Sequence, residues 1–376
     1  MKRISISPRY NWKETTEKQG LIYSTLYDGS LYWDESAYYE FSSKEIDEIE
    51  RVTNVLHQLY LDAAQHIIDN NLFDKLKIQE PIIQLIKDAW DKEPPALYGR
   101  FDLGYDGKNI KLLEYNADTP TSLIEASIIQ WYWLQDKFPM YDQFNSIHNK
   151  LEAKWADLKH YVDKTVYFAH LDNNEDFMTV AYLAQTAQNA GLTTKFILMS
   201  DIGWDNQNKY FVDLDNNRIA TIFKLYPYEW LINETFADGF IESSNITQWI
   251  EPVWKMLWSN KAILALLWEL NPNHPNLLPT YFDADKFDGN YVKKPIYSRE
   301  GANIEIVTDD VIASTDGDYG EEGFVYQQLF ELPEFDGNYP VIGSWMIDQD
   351  AAGMGIRESD TLITDNRSRF VPHLFK

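Results

Sequence analysis

Apolar side chains recur at threes and fours through residues 43–73: Ile46, Ile49, Val52, Val55, Leu56, Leu59 and Ala63. That spacing predicts an amphipathic helix, with Ser42-Ser43 where an N-cap belongs. A second helix is predicted over 80–92, with Pro81 at its start. Residues 97–116 alternate on either side of Asp106-Gly107, the pattern of a β-hairpin. Residues 121–160 return to helix and are rich in Trp and Leu. From Thr165 the period changes. Residues 166–169 read as a buried strand, 176–190 as a helix ended by Gly191, and 195–199 as the next strand. That is a βαβ unit and predicts a parallel sheet. Strands at 210–212 and 221–225 follow, then a helix over 261–270 and strands at 291–296, 304–307, 324–330 and 339–347. The order divides the chain into a helical region with a hairpin (1–160), an α/β lobe (161–250) and an α+β region (251–376).

Composition narrows the classes. The chain has 376 residues, 44% hydrophobic and 24% charged, the profile of a water-soluble globular protein. No stretch approaches the roughly 20 apolar residues of a membrane helix. The basic N-terminus lacks an apolar segment behind it, so a cytoplasmic location is expected, with no membrane partner. The absence of cysteine excludes disulfides, thiolate metal sites and a cysteine nucleophile. The 7 histidines are scattered, which disfavours a His-built zinc site. A net charge of -26 repels nucleic-acid phosphates and attracts cations such as polyamines, although such a surface also serves solubility alone.

Three segments carry candidate chemistry. In the hairpin, Arg100 and Asp102 share one face of the first strand, and Glu114 and Asn116 share one face of the second. A two-residue turn at 106–107 pairs Asp102 with Lys111 and sets Arg100 and Glu114 on opposite faces. A three-residue loop at 106–108 pairs Asp102 with Leu112 and Arg100 with Glu114. Only the second register buries both apolar sets together, so it is preferred. The four polar groups then converge. Two carboxylates and an amide oxygen suit Mg²⁺, and an adjacent Arg suits a transferring phosphoryl group. The same alternation also suits a salt-bridged surface hairpin. In the second segment a strand carrying Lys293-Lys294 runs into a loop with Gly301, where a lysine and free backbone N–H groups can meet phosphate. In the third, a strand over 341–347 is expected to end in a loop of small residues presenting Arg357.

Together these strings resemble the synthetase domain of glutathionylspermidine synthase and the related acid–amine ligases. The matching residues are Gly99-Arg100-Phe101-Asp102, Leu113-Glu114-Tyr115-Asn116 continuing to Leu123, Lys294-Pro295, Arg299 through Ile304, Ile342 through Trp345, Gly355-Ile356-Arg357-Glu358 and Ser368 through His373. They occur in order over nearly the whole chain. The resemblance implies a circularly permuted ATP-grasp fold with a Rossmann-like pre-ATP-grasp lobe. It implies ATP and Mg²⁺, with Asp102, Glu114 and Asn116 as metal ligands and Arg100 stabilising an acyl phosphate. Lys261 and Lys294 would hold ATP phosphates, with Arg299, Glu300 and Gly301 in the covering loop, and Tyr326 and Gln327 beside the adenine. Thr119, Thr121 and Arg357 would meet substrate, and Glu175 and Asp176 the amine. The expected activity is ADP-forming ligation of a peptide-like acid to a polyamine or amino acid. A non-catalytic nucleotide binder on the same fold is the alternative. Bifunctional members also carry an N-terminal cysteine amidase domain, and this chain has neither room for it nor a Cys, so amidase activity is not implied.

Overall fold

The computed structural model describes residues 1–365 and 367–376, as a mixed α/β protein with several sheets. The long helix Ser43–Asp69 starts with a reciprocal cap: the Ser42 hydroxyl accepts from the Glu45 N–H, and the Glu45 carboxylate accepts from the Ser42 N–H. Its apolar stripe, Ile46, Ile49, Val52, Leu56 and Ala63, is buried. The stripe lies on a five-stranded antiparallel sheet, where Tyr60 meets Phe101 and Tyr115 at 5.5 and 5.0 Å.

That sheet has the strand order Arg369–Val371, Asp350–Ser359, Tyr339–Ile347, Tyr98–Tyr105, Ile110–Asn116. Strands from the first and last thirds of the chain therefore share one sheet. A second five-stranded sheet holds Tyr291–Pro295 between Phe324–Gln328 and Glu305–Val307. The βαβ reading holds: Thr165–His170 pairs in parallel with Thr193–Leu198 on one side and Thr221–Lys224 on the other, and Gln248–Ile250 completes four parallel strands. The order reverses between Thr165–His170 and Thr221–Lys224, and at such a reversal the carboxyl ends of the strands leave a crevice. Tyr210–Val212 forms a separate hairpin with Gly203–Asp205. Among the described residues, no helix is long and apolar enough to cross a membrane.

Two expectations fail in instructive ways. The segment after Ile347 is no loop: Asp350–Ser359 is a strand antiparallel to Tyr339–Ile347, and Asp348 and Gln349 make the turn with positive φ of 51° and 62°. Arg357 thus sits on a rigid element. The hairpin takes neither proposed register. Asp106 tightens the turn by accepting from the N–H groups of Lys108 and Asn109, so Tyr105 pairs with Ile110 and Leu103 with Leu112. Continued unbroken, that ladder would set Asp102 beside Leu113. A bulge intervenes between Asp102 and Leu103, so Asp102 pairs with Glu114 and Arg100 with Asn116. The polar groups converge as expected, by a different route.

Candidate active site

The hairpin face, the crevice of the parallel sheet, the 291–295 strand and the C-terminal segment enclose a cavity of about 390 Å³. Its floor is the bulged hairpin. Arg100 Nε donates to Asp102 Oδ1 at 2.8 Å, and Arg357 Nη2 donates to Asp102 Oδ2 at 2.5 Å. Arg100 Nη1 reaches the Thr121 carbonyl at 2.8 Å. Gly343 lies opposite Asp102, and a Cβ there would stand 2.9 Å from Arg100 Cδ, so the position must be bare for Arg100 to cross the strand. Asn116 Nδ2 is 3.2 Å from Glu114 Oε1 and 3.5 Å from Asp102 Oδ2.

Lysines face this acidic group. Lys261 Nζ lies 3.1 Å from Glu114 Oε2 and also donates to the Ser298 carbonyl at 2.6 Å. Lys294 Nζ donates to the Leu113 carbonyl at 2.9 Å and to Gln327 Oε1 at 2.7 Å. Burial opposes ionisation of Glu114, but the charges of Lys261 and Lys294 outweigh it and hold its pKa down at about 2. Burial brings Lys294 down to about 8, against the pull of Glu114.

The far wall belongs to the parallel sheet. Glu175 and Asp176 open the helix Asn174–Asn189, beyond the first strand. Burial raises both, Asp176 to about 6, and the neighbouring Thr121 opposes the rise at Glu175. Over the cavity, Arg299 pairs with Glu229 at 3.0 Å and donates to Thr119 Oγ1 at 2.5 Å. Gly301, at φ 72°, presses on the Thr364 carbonyl, where a Cβ would come within 2.5 Å.

Arg100, Asp102, Glu114, Asn116, Thr119, Thr121, Glu175, Asp176, Lys294, Arg299, Glu300, Gly301, Gln327 and Arg357 all line the cavity. Lys261 contacts it through Glu114. Tyr326 does not face it. Strand alternation turns its ring to the other side, against Tyr291 at 5.5 Å. Three supporting groups escaped sequence reasoning. Glu229 holds Arg299. Asp118 and Lys224 form a fully buried pair at 2.6 Å behind the floor. Glu125 lies buried beneath Tyr32. A signal existed for Glu125, a charge inside an apolar run; Glu229 and Lys224 look like ordinary surface and strand residues.

The donor set fits a hard cation. Among the described residues no cluster of three or more His, Cys, Asp or Glu side chains forms a metal site. Two carboxylates and an amide do converge, however, and Glu114 is ionised throughout the physiological range. Turning the Asn116 amide over would bring its oxygen to the same point.

Comparison with known proteins gives the family. The model of the family "Glutathionylspermidine synthase preATP-grasp" matches residues 3–376, and the chain belongs to that family. It is 46% identical over 365 residues to a Haemophilus influenzae protein named "Putative acid--amine ligase", covering 93% of this chain and 92% of that one. Identity to trypanothione synthetase of Crithidia fasciculata is 31%, over 84% of this chain. Identity to the bifunctional glutathionylspermidine synthetase/amidase of Escherichia coli is 27%, over 89% of this chain. The aligned part spans 53% and 58% of those two longer proteins.

Proposed function

We propose that the chain is an ATP-dependent acid–amine ligase that activates a carboxylate as an acyl phosphate and releases ADP. The observation that carries this reading is one cavity lined by Lys294 and Arg299 together with Asp102, Glu114 and Asn116, in which Lys261 pairs with Glu114 and Arg100 and Arg357 both pair with Asp102. The architecture assigned is a circularly permuted ATP-grasp fold. Residues 161–250 form a Rossmann-like pre-ATP-grasp lobe, 251–376 the nucleotide-binding region, and the hairpin of 1–160 the metal-binding floor. Glu114 and Asn116 precede Lys294 in the chain, which is the permuted order.

Asp102, Glu114 and Asn116 would hold Mg²⁺, which when bound neutralises nucleotide phosphate charge. Lys294 and Lys261 hold the phosphates as point charges. Arg299, Glu300 and Gly301 cover them and exclude water. Gln327 faces the nucleotide with its side chain, and Tyr326 can contribute only through its main chain. Arg100 and Arg357 stabilise charge on the acyl phosphate as the amine attacks. Thr119 and Thr121 position the acid, and Glu175 and Asp176 attract the ammonium group. The acid is peptide-like and the amine a polyamine or an amino acid. The names of the relatives and the net charge of -26 support a cationic amine. The reaction is placed in the cytoplasm. Incubation with ATP, Mg²⁺ and acid–amine pairs, read by mass spectrometry of products, tests the proposal. ADP and an amide are expected, and release of AMP and pyrophosphate would overturn it.

A further inference from the structure

Glu125 stands in an apolar run, Leu123-Ile124-Glu125-Ala126, at the start of a π-helical turn over Glu125–Ile129. Such turns are frequent at functional sites. Its side chain is buried, with 2% exposure of the residue. Oε1 accepts from the Tyr32 hydroxyl at 2.7 Å, and Oε2 has no hydrogen-bond partner among the described residues. The Tyr23 ring stands beside Tyr32, the two ring centroids being 4.8 Å apart. Both tyrosines line the cavity, at the end where Glu175 and Asp176 also lie. The Tyr32 hydroxyl therefore joins the amine end of the cavity to a buried carboxylate.

A carboxylate so placed is costly to fold, since one oxygen is both dry and unpaired. A glutamine would make the same bond to Tyr32 without the charge. Titratable groups tend to be kept in such places where chemistry uses them. We infer that Glu125, acting through Tyr32, accepts the proton that the amine substrate must shed before it attacks. The inference rests on the ligase reading above.

The ammonium passes one proton to the Tyr32 oxygen as Tyr32 passes its own to Glu125. The products are R–NH₂, neutral Glu125 and an unchanged Tyr32. The nitrogen lone pair then forms the C–N bond, the bond from the acyl carbon to the phosphate oxygen breaks, and phosphate leaves with that electron pair. The second nitrogen proton goes to the departing phosphate. Burial raises Glu125 to about 7, with Glu175 raising it further and Tyr32 and Arg100 opposing. Asp176 and Arg357 are the other charges beside this network. Proton transfer from an alkylammonium of pKa about 10 is then uphill by about 3 units, where an ordinary Glu would leave it uphill by about 6.

Glu125→Gln is tested with ATP, Mg²⁺ and glutathione, using hydroxylamine against a panel of spermidine, putrescine and glycine. Hydroxylamine is uncharged at neutral pH and needs no base. The variant should lose about 10²-fold in kcat with whichever alkylamine the wild type uses, together with the acidic limb of the pH–rate profile. Hydroxamate formation should stay within about threefold of wild type. Equal loss with both kinds of nucleophile would make Glu125 merely structural and overturn the inference alone. Absence of hydroxamate with the wild type, from glutathione and from every other peptide acid offered in its place, would sink the ligase reading, and the inference with it. Tyr32→Phe interrupts the relay without touching Glu125 and should show the same selectivity. If Glu125→Gln does not fold, Tyr32→Phe decides the matter by the same comparison of nucleophiles.

Discussion

Lys224→Met is the most informative perturbation of the scaffold. Lys224 is the last residue of a parallel strand, and its ammonium is fully buried 2.6 Å from Asp118, which follows Asn116 by two residues. Nζ also donates to the Tyr226 carbonyl at 2.8 Å and lies 3.6 Å from the Tyr228 ring centroid. Asp118 Oδ2 accepts from the Tyr228 N–H at 3.1 Å. At an effective dielectric of about 20, two charges at this separation attract by about 6 kcal/mol, most of which offsets the desolvation of both. Met matches the stem of Lys but leaves Asp118 charged, dry and with one remaining hydrogen bond. Removing one partner of such a pair costs about 3–5 kcal/mol, whereas removing both charges costs far less. Urea unfolding of Lys224→Met should therefore show a loss in that range, and Asp118→Asn/Lys224→Met should regain at least half of it. Nucleotide affinity should fall with the single variant, because Asp118 anchors the segment leading to Thr119 and Thr121. A single variant within about 1 kcal/mol of wild type, or a double variant no better than the single, would refute the reasoning.

Other consequences are smaller in scope. Arg100→Ala should retain ATP binding by calorimetry and lose on the order of 10²–10³ in ligation rate, while Asp102→Ala should weaken Mg²⁺-dependent nucleotide binding instead. Gly343→Ala should fold and still lose activity, because its Cβ would drive Arg100 off Asp102; a structure with Arg100 unmoved would contradict this. Burial lowers His57 to about 4 and His373 to about 3, so both are neutral when folded and take up a proton on unfolding below about 6.5. The stability they contribute is present above that pH and is lost as pH falls through the window, by about 2 kcal/mol for each between pH 6.5 and 5. His57→Leu should flatten the acid limb of the unfolding free energy by that amount, and an unchanged slope would exclude His57 as a source.

The legible parts of the molecule are those with a local cause. The stripe on Ser43–Asp69 and the βαβ order from Thr165 follow from periodicity, and the structure carries both. The convergence of Arg100, Asp102, Glu114 and Asn116 was legible because burying both apolar sets demands it. The register was not. It depends on an Asx-type turn at Asp106 and on one unpaired residue, and neither leaves a periodic trace. Arg357 was misplaced onto a loop because glycines and alanines read as loop, although Asp350–Ser359 needs small residues to pack: a Cβ on Gly355 would stand 3.1 Å from Ala126. Glu229 and Lys224 gain their roles only from partners far away in sequence.

The bulged strand Ile110–Asn116 is also the outermost strand of its sheet, and an outermost strand offers unpaired N–H and C=O groups to any passing chain. Here Lys294 caps the Leu113 carbonyl, Gln327 caps that of Leu112, and Asn276 takes up Ile110 and Leu112. The side chains assigned to the nucleotide thus also shield the protein from its neighbours. If Lys294 holds phosphate as proposed, it would release its carbonyl as the cleft fills, and the nucleotide would then cover the edge. Variants at Lys294 or Gln327 uncover that edge permanently. Their loss of activity should come with self-association at high concentration, and light scattering belongs beside every kinetic assay of them.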